Sequence, residues 1–216
     1  AVVSVASCVM CSLCAGGSRA SARYRRAVAG AVGGVQVLVC ELGRAGYAES
    51  VILPGKAAHR LGKPVVFDPL GVGGTRLRQS TARRLLEEVQ VSVIRGNASE
   101  IRWLAGEQTR GSGVDASLTD AVTEENLPLA AKLARGLAER TGSVVVVSGE
   151  IDLVTAGRRT AAFRNGCATM ARLTGRGCML AALTGACCVA EPEARFTAAC
   201  AAVAAMCVRG QVGGQA

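Results

Sequence analysis

Residues 64–75 read PVVFDPLGVGGT, an apolar run with β-branched side chains that ends in a carboxylate and a glycine-rich loop. A short unbroken apolar run bounded by turn residues is a strand buried on both faces. Such strands belong to a mainly parallel sheet covered by helices above and below. The flanking sequence repeats the pattern in both directions. Upstream, 35–42 (VQVLVCEL) is a strand and 50–61 a helix, with Pro54 working against it. Downstream, 77–89 is an amphipathic helix, 91–95 a strand, and 99–105 a short helix with Ser99 at the capping position. A long helix over 124–140 precedes 144–148 (VVVVS), the plainest strand in the chain, and 151–154 with 160–163 forms a hairpin about Gly157-Arg158. Gly175-Arg176-Gly177-Cys178 opens a small-residue helix reaching 190, and a last helix covers 192–208. Strands alternating with helices predict one α/β domain over 1–216, in three α/β/α layers, with no repeat and no dividing linker.

Composition narrows the function. A chain of 216 residues, half of them apolar, is long enough for one well-buried domain and too apolar for disorder. Only 3% are aromatic, so Ala, Val, Leu and Cys must build the core, and a base-stacking nucleic-acid surface is disfavoured. The net charge is +9; of the basic residues only Lys56, Lys63 and Lys132 are lysine, and the densest cluster is Arg19, Arg23, Arg25 and Arg26. A basic surface attracts small anions. It also raises the alternative of a non-catalytic protein that binds RNA or acidic partners. Cys8, Cys11 and Cys14 have a ligand-like spacing, yet His59 is the sole histidine. Most of the ten cysteines read as buried thiols of a reducing, cytoplasmic compartment. Residues 1–15 imitate a signal-peptide core without its basic leader, and no stretch reads as a membrane span.

In a parallel sheet the ligand site lies beyond the carboxyl ends of the strands. Four such ends carry unusual residues: Asp68 before Gly71, Gly73 and Gly74; Arg95-Gly96-Asn97 with Glu100 beyond; Ser148-Gly149-Glu150; and the Gly175-x-Gly177 loop leading to Cys178. Together they describe a phosphate site. Amides at the start of the Gly177 helix point partial positive charge at an anion, and glycine lets phosphate oxygens approach. Asp68, Asn97 and Glu100 supply the oxygen ligands that suit hydrated Mg2+. Arg95 supplies paired hydrogen bonds for phosphate.

The segments DPLGVGGT (68–75), IRGNASEI (94–101), GSGVD (111–115), VVVVSGEID (144–152) and LTGRGCMLAAL (173–183) resemble the hydroxyethylthiazole kinase family of the ribokinase-like superfamily. The resemblance runs from about residue 35 to the end. It implies a ribokinase-like fold and transfer of the ATP γ-phosphate, with Mg2+, to the hydroxyl of 4-methyl-5-(2-hydroxyethyl)thiazole in thiamine biosynthesis. It also implies a homotrimer with active sites between subunits. Carried over by position, Arg95 and Ser148 match ATP-binding residues, the latter replacing the family's threonine. Gly175 matches a thiazole-binding backbone position, Cys178 the catalytic base, and Asp68, Asn97 and Glu100 the metal and phosphate region. A thiol at a helix N-terminus, here beside Arg176, loses its proton more readily than a free one.

Three departures stand beside the match. Arg176 occupies the place of a threonine in the family's GTGC turn. Residues 1–34 fit poorly: aligning Ala15-Gly16-Gly17-Ser18 with the family's GASP segment puts Ser21 where a substrate-binding methionine is expected, and the preceding Thr-Asn segment lies before residue 1. The family's closing helix lies beyond Ala216. These losses fall on the thiazole side, which keeps open the alternative of a truncated or inactive homologue that binds nucleotide alone. A hydroxymethylpyrimidine kinase is disfavoured, because that group carries GxGD where this chain has GxGC.

Overall fold

A computed structural model describes residues 38–41, 48–106, 122–167, 170 and 175–214. Within these residues a six-stranded sheet runs in sequential order: β1 (Leu38–Glu41), β2 (Val65–Asp68), β3 (Val93–Asn97), β4 (Val144–Ser148), β5 (Asp152–Ala156) and β6 (Arg159–Phe163). The first four pair in parallel, while β5 and β6 are antiparallel additions at one edge. The mainly parallel sheet is as expected, and the hairpin turns at Gly157-Arg158.

Alternation along the strands explains the layers. Val65, Phe67, Ile94, Val145 and Val147 enter one core, and Val66, Val93, Val144 and Val146 enter the other. The first core is closed by α1 (Ala48–Arg60), α2 (Arg76–Glu88), α3 (Ala98–Ala105) and α4 (Leu127–Thr141). These helices connect strands that advance in one direction across the sheet, and crossovers of constant hand then fall on one face. The opposite face is covered by α5 (Arg176–Ala190) and α6 (Arg195–Gly213) through Leu180, Ala181, Cys188, Ala199, Ala202, Val203 and Cys207. The three-layer expectation therefore holds. Helix α6 is long and apolar enough by composition to cross a membrane, but its small residues form this core.

Several boundaries differ from the sequence reading. Pro54 sits inside α1 without ending it, because Ile52, Ala57 and Ala58 are buried against the sheet on either side of the missing amide. The third strand begins at Val93 instead of Val91: Ser92 donates its amide to the Val65 carbonyl, and the ladder proper carries on through Asn97. Asn97, not Ser99, caps α3. Its side chain accepts the Glu100 amide at 2.8 Å while the Glu100 carboxylate accepts the Asn97 amide at 2.9 Å, a reciprocal capping box. Cys178 is the third residue of α5, not its first, since Gly175 (φ 85°) takes the left-handed conformation and starts the helix at Arg176.

Candidate active site

The carboxyl ends of β2, β3 and β4 bring Asp68, Arg95 and Ser148 together. One guanidinium nitrogen of Arg95 (Nη1) donates to Asp68 Oδ2 at 3.1 Å, and the other (Nη2) donates to Ser148 Oγ at 2.6 Å. The Ser148 hydroxyl in turn lies 3.3 Å from the Gly96 carbonyl, to which it donates. Asp68 is 1% exposed and the Arg95 side chain 9%. Desolvation offsets most of the Coulomb gain of a buried ion pair, so such a pair adds little net stability. Its value is an arginine fixed in direction. The remaining guanidinium nitrogen, Nε, is buried with no hydrogen-bond partner among the described residues.

The first turn of α5 meets this arginine. A β-carbon built on Gly177 would run into Arg95 Nη1 and lie 3.0 Å from Cζ and 3.1 Å from Nη2, so any larger residue there requires the guanidinium to shift. Gly175 offers no side chain to cap the helix, which is the situation in which a helix start receives an anion. Cys178 lies half-buried on the same turn. Arg176 is half-buried on the same turn, and its charge weakly opposes the raised pKa of the Cys207 thiol on α6.

Glu100 and Asn97 stand beside this group with their oxygens already engaged. Glu100 Oε1 accepts the Gly71 amide at 2.9 Å, which ties the glycine-rich loop after β2 to the start of α3, and Oε2 belongs to the capping box. Asn97 Oδ1 also accepts the Ser99 hydroxyl at 2.9 Å. Among the described residues no group of three or more His, Cys, Asp or Glu is arranged to hold a metal ion. The donors are all oxygen, which fits Mg2+ met through water and phosphate but not a protein cage.

The structure thus unites Asp68, Arg95, Ser148 and Gly177 directly, with Gly175 and Cys178 on the adjoining turn and Asn97 and Glu100 on the adjoining cap. Ser21, the GSGVD segment at 111–115 and the Cys8, Cys11 and Cys14 spacing lie outside the described residues. Two residues of this end are not among the site candidates the sequence marks: Asp152, at the start of the hairpin, and Cys207, in the last helix. The legible signal is Asp152 three residues after Gly149, one of the short spacings at which an Asp side chain bonds a neighbouring backbone group. An open groove of about 570 Å³ at the opposite, amino end of the parallel strands is lined by residues such as Ser92, Gly142, Ser143 and Phe196 and touches none of this constellation.

Comparison with known proteins places the chain in a family. The hydroxyethylthiazole kinase of Desulfovibrio desulfuricans is 45% identical over 97% of this chain and 74% of its own length. That of Clostridium acetobutylicum is 42% identical over 76% of this chain, and the match spans 60% of its length. The solved hydroxyethylthiazole kinase of Pyrococcus horikoshii superposes with a TM-score of 0.67 at 32% identity, covering 84% of this chain and 65% of that one. The present chain therefore spans between about three fifths and three quarters of these relatives. Solved kinases at 14–18% identity, a pyridoxal kinase and ribokinase among them, share the ribokinase-like fold alone. Residues 7–215 match the hydroxyethylthiazole kinase family as a whole, and with a 45% identical relative covered over 74% of its length, the chain belongs to that family.

Proposed function

We propose that this protein transfers the γ-phosphate of ATP to the hydroxyl of 4-methyl-5-(2-hydroxyethyl)thiazole, as a cytoplasmic enzyme of thiamine biosynthesis. The observation that carries the reading is Arg95, anchored by Asp68 and Ser148 and pressed against Gly177 at the start of α5. That arrangement presents a fixed cation and a helix start to one anion. Phosphoryl transfer needs little covalent chemistry from the protein; positioning and charge stabilisation supply most of the acceleration. Arg95, Ser148 and Gly177 bind the nucleotide phosphates in this reading, and Gly175 offers its backbone to the thiazole. Cys178 takes the proton of the acceptor alcohol as its oxygen bonds to the γ-phosphorus. The bond from phosphorus to the β–γ bridging oxygen breaks, and ADP leaves with that electron pair.

Mg2+ supplies neutralisation of phosphate charge when bound, and Asp68, Asn97 and Glu100 would hold it through water. Ser21 belongs to the thiazole side, and the homotrimer follows from family membership. The test is formation of phosphorylated thiazole from Mg-ATP and hydroxyethylthiazole, followed by mass and by ADP release. Stabilisation by Mg-ATP without transfer would refute the activity and leave a nucleotide-binding relic. Salt-sensitive heparin retention without stabilisation by ATP would refute nucleotide binding as well.

A further inference from the structure

Asp152, at the start of β5, ties three parts of the site end together. Its Oδ1 accepts the backbone amide of Gly149 at 2.8 Å, and its Oδ2 accepts the Cys207 thiol of α6 at 3.1 Å. Gly149 directly follows Ser148, whose hydroxyl accepts from Arg95. The turn is also pinned from outside. A β-carbon on Gly149 would lie 2.6 Å from the Val122 amide nitrogen, and Ile151 donates its own amide to the Val122 carbonyl at 3.0 Å. The path from Arg95 through Ser148 and Gly149 to Asp152 and α6 is thus continuous and closely packed.

We infer that Asp152, held by Cys207, is a positioning residue for nucleotide binding: it fixes the Ser148–Gly149 turn so that the Ser148 hydroxyl orients Arg95 toward the anion. The inference deepens the kinase reading and rests on it. Cys207 is suited to its part. Burial first, then the hydrogen bond to Asp152 and the charge of that carboxylate, push its thiol up to about 12 against the opposing charge of Arg176. The sulfur therefore stays a hydrogen-bond donor throughout the working pH range. Asp152 touches neither reacting atom nor Arg95 in these contacts, so its effect travels through the turn alone.

The experiment compares Asp152→Ala, Asp152→Asn, Cys207→Ala and Cys207→Ser with the parent protein. For each, KM for ATP, KM for hydroxyethylthiazole, kcat, and the thermal shift produced by Mg-ATP are measured. Loss of the acceptor for the half-buried Gly149 amide is expected to raise KM for ATP about tenfold in Asp152→Ala and to shrink the Mg-ATP shift in proportion, with KM for the thiazole unchanged. Cys207→Ala should rise less, about threefold, and Cys207→Ser, which keeps a donor, less again. Should Asp152→Ala fail to fold, Asp152→Asn preserves the shape and still disturbs the thiol contact, so it must show the ATP-specific rise. Variants that lower thermal stability while leaving KM for ATP and the Mg-ATP shift at parent values would overturn the inference. The thermal-shift arm needs no acceptor, so a parent protein that binds Mg-ATP without phosphorylating thiazole refutes the activity while still deciding the role of Asp152.

Discussion

Gly177→Ala adds one methyl group at the point where the proposed anion site is narrowest. The built β-carbon falls 3.0 Å from Arg95 Cζ and 3.1 Å from Nη2. The guanidinium cannot drift aside freely, because its two terminal nitrogens are held by Asp68 at 3.1 Å and Ser148 at 2.6 Å. Relieving the overlap breaks one hydrogen bond of a charged group, which costs about 1.5–3 kcal/mol. Alanine in place of glycine in a helix returns up to about 1 kcal/mol. With that full offset the net loss is about 0.5–2 kcal/mol, or a fall in Tm of roughly 1–8 °C for a domain of this size. In the proposed reading Arg95 faces the nucleotide phosphates, so displacing it should raise KM for ATP about tenfold, which corresponds to about 1.4 kcal/mol.

The matching control is Gly136→Ala, at a helical position in α4 with nothing within 4 Å of the added carbon. That change should raise stability by about 0.4–1 kcal/mol and leave ATP kinetics alone. Differential scanning fluorimetry and steady-state kinetics on both variants make the comparison. A Gly177→Ala protein that gains stability as Gly136→Ala does, with an unaltered KM for ATP, would show that Arg95 does not crowd the helix start and that the site is wrongly drawn.

Cys178→Ala should reduce kcat by about 10²–10⁴ while stabilisation by Mg-ATP persists, as expected for loss of a proton acceptor alone; undiminished turnover would remove sulfur from the mechanism. Glu100→Gln leaves one oxygen to serve the Gly71 and Asn97 amides, and should lower the unfolding free energy by about 1–2 kcal/mol in urea titration; an unchanged midpoint would mean that the cap and the loop hold without the carboxylate. Alkaline pH should destabilise the fold through its buried thiols. Burial raises Cys188 to about 11, and burial with Asp152 raises Cys207 to about 12, from an ordinary value of 9.0. Above the unfolded value the unfolded chain releases protons that the native thiols retain, so stability is whole below about pH 9 and falls as pH climbs toward 11 and 12. Cys188→Ser should flatten that decline in thermal melts, and an identical slope would assign it to other groups.

Sequence periodicity reports burial faithfully and pairing only indirectly, and the elements sort along that line. VVVVS coincides with β4 because both neighbouring layers demand apolar side chains at every position. Val91 and Ser92 are as buried as a strand, yet the ladder starts after them, since burial does not specify which carbonyl an amide will meet. Helix α6 passes well beyond Val208 through a glycine-bearing stretch. The Cys167 thiol donates to the Gly210 carbonyl at 2.9 Å, and Gly210 packs against Met170, contacts no local rule contains.

The same distinction governs the site. Residue types at strand ends were legible, because topology sends those ends to one side. Their partners were not, because Arg95 meets Asp68 and Ser148 across 27 and 53 positions of chain. Arg176 shows the consequence most sharply. At the N-terminus of a phosphate-binding helix an arginine reads equally as ligand or as plug, and no spacing within GRGC separates the two. Helix α6 adds what the four-residue motif lacks: its Cys207 is bonded to Asp152, and the Arg176 charge reaches that thiol. The surroundings of the arginine are thus supplied by residues 24 positions upstream and 31 downstream, which no local pattern contains.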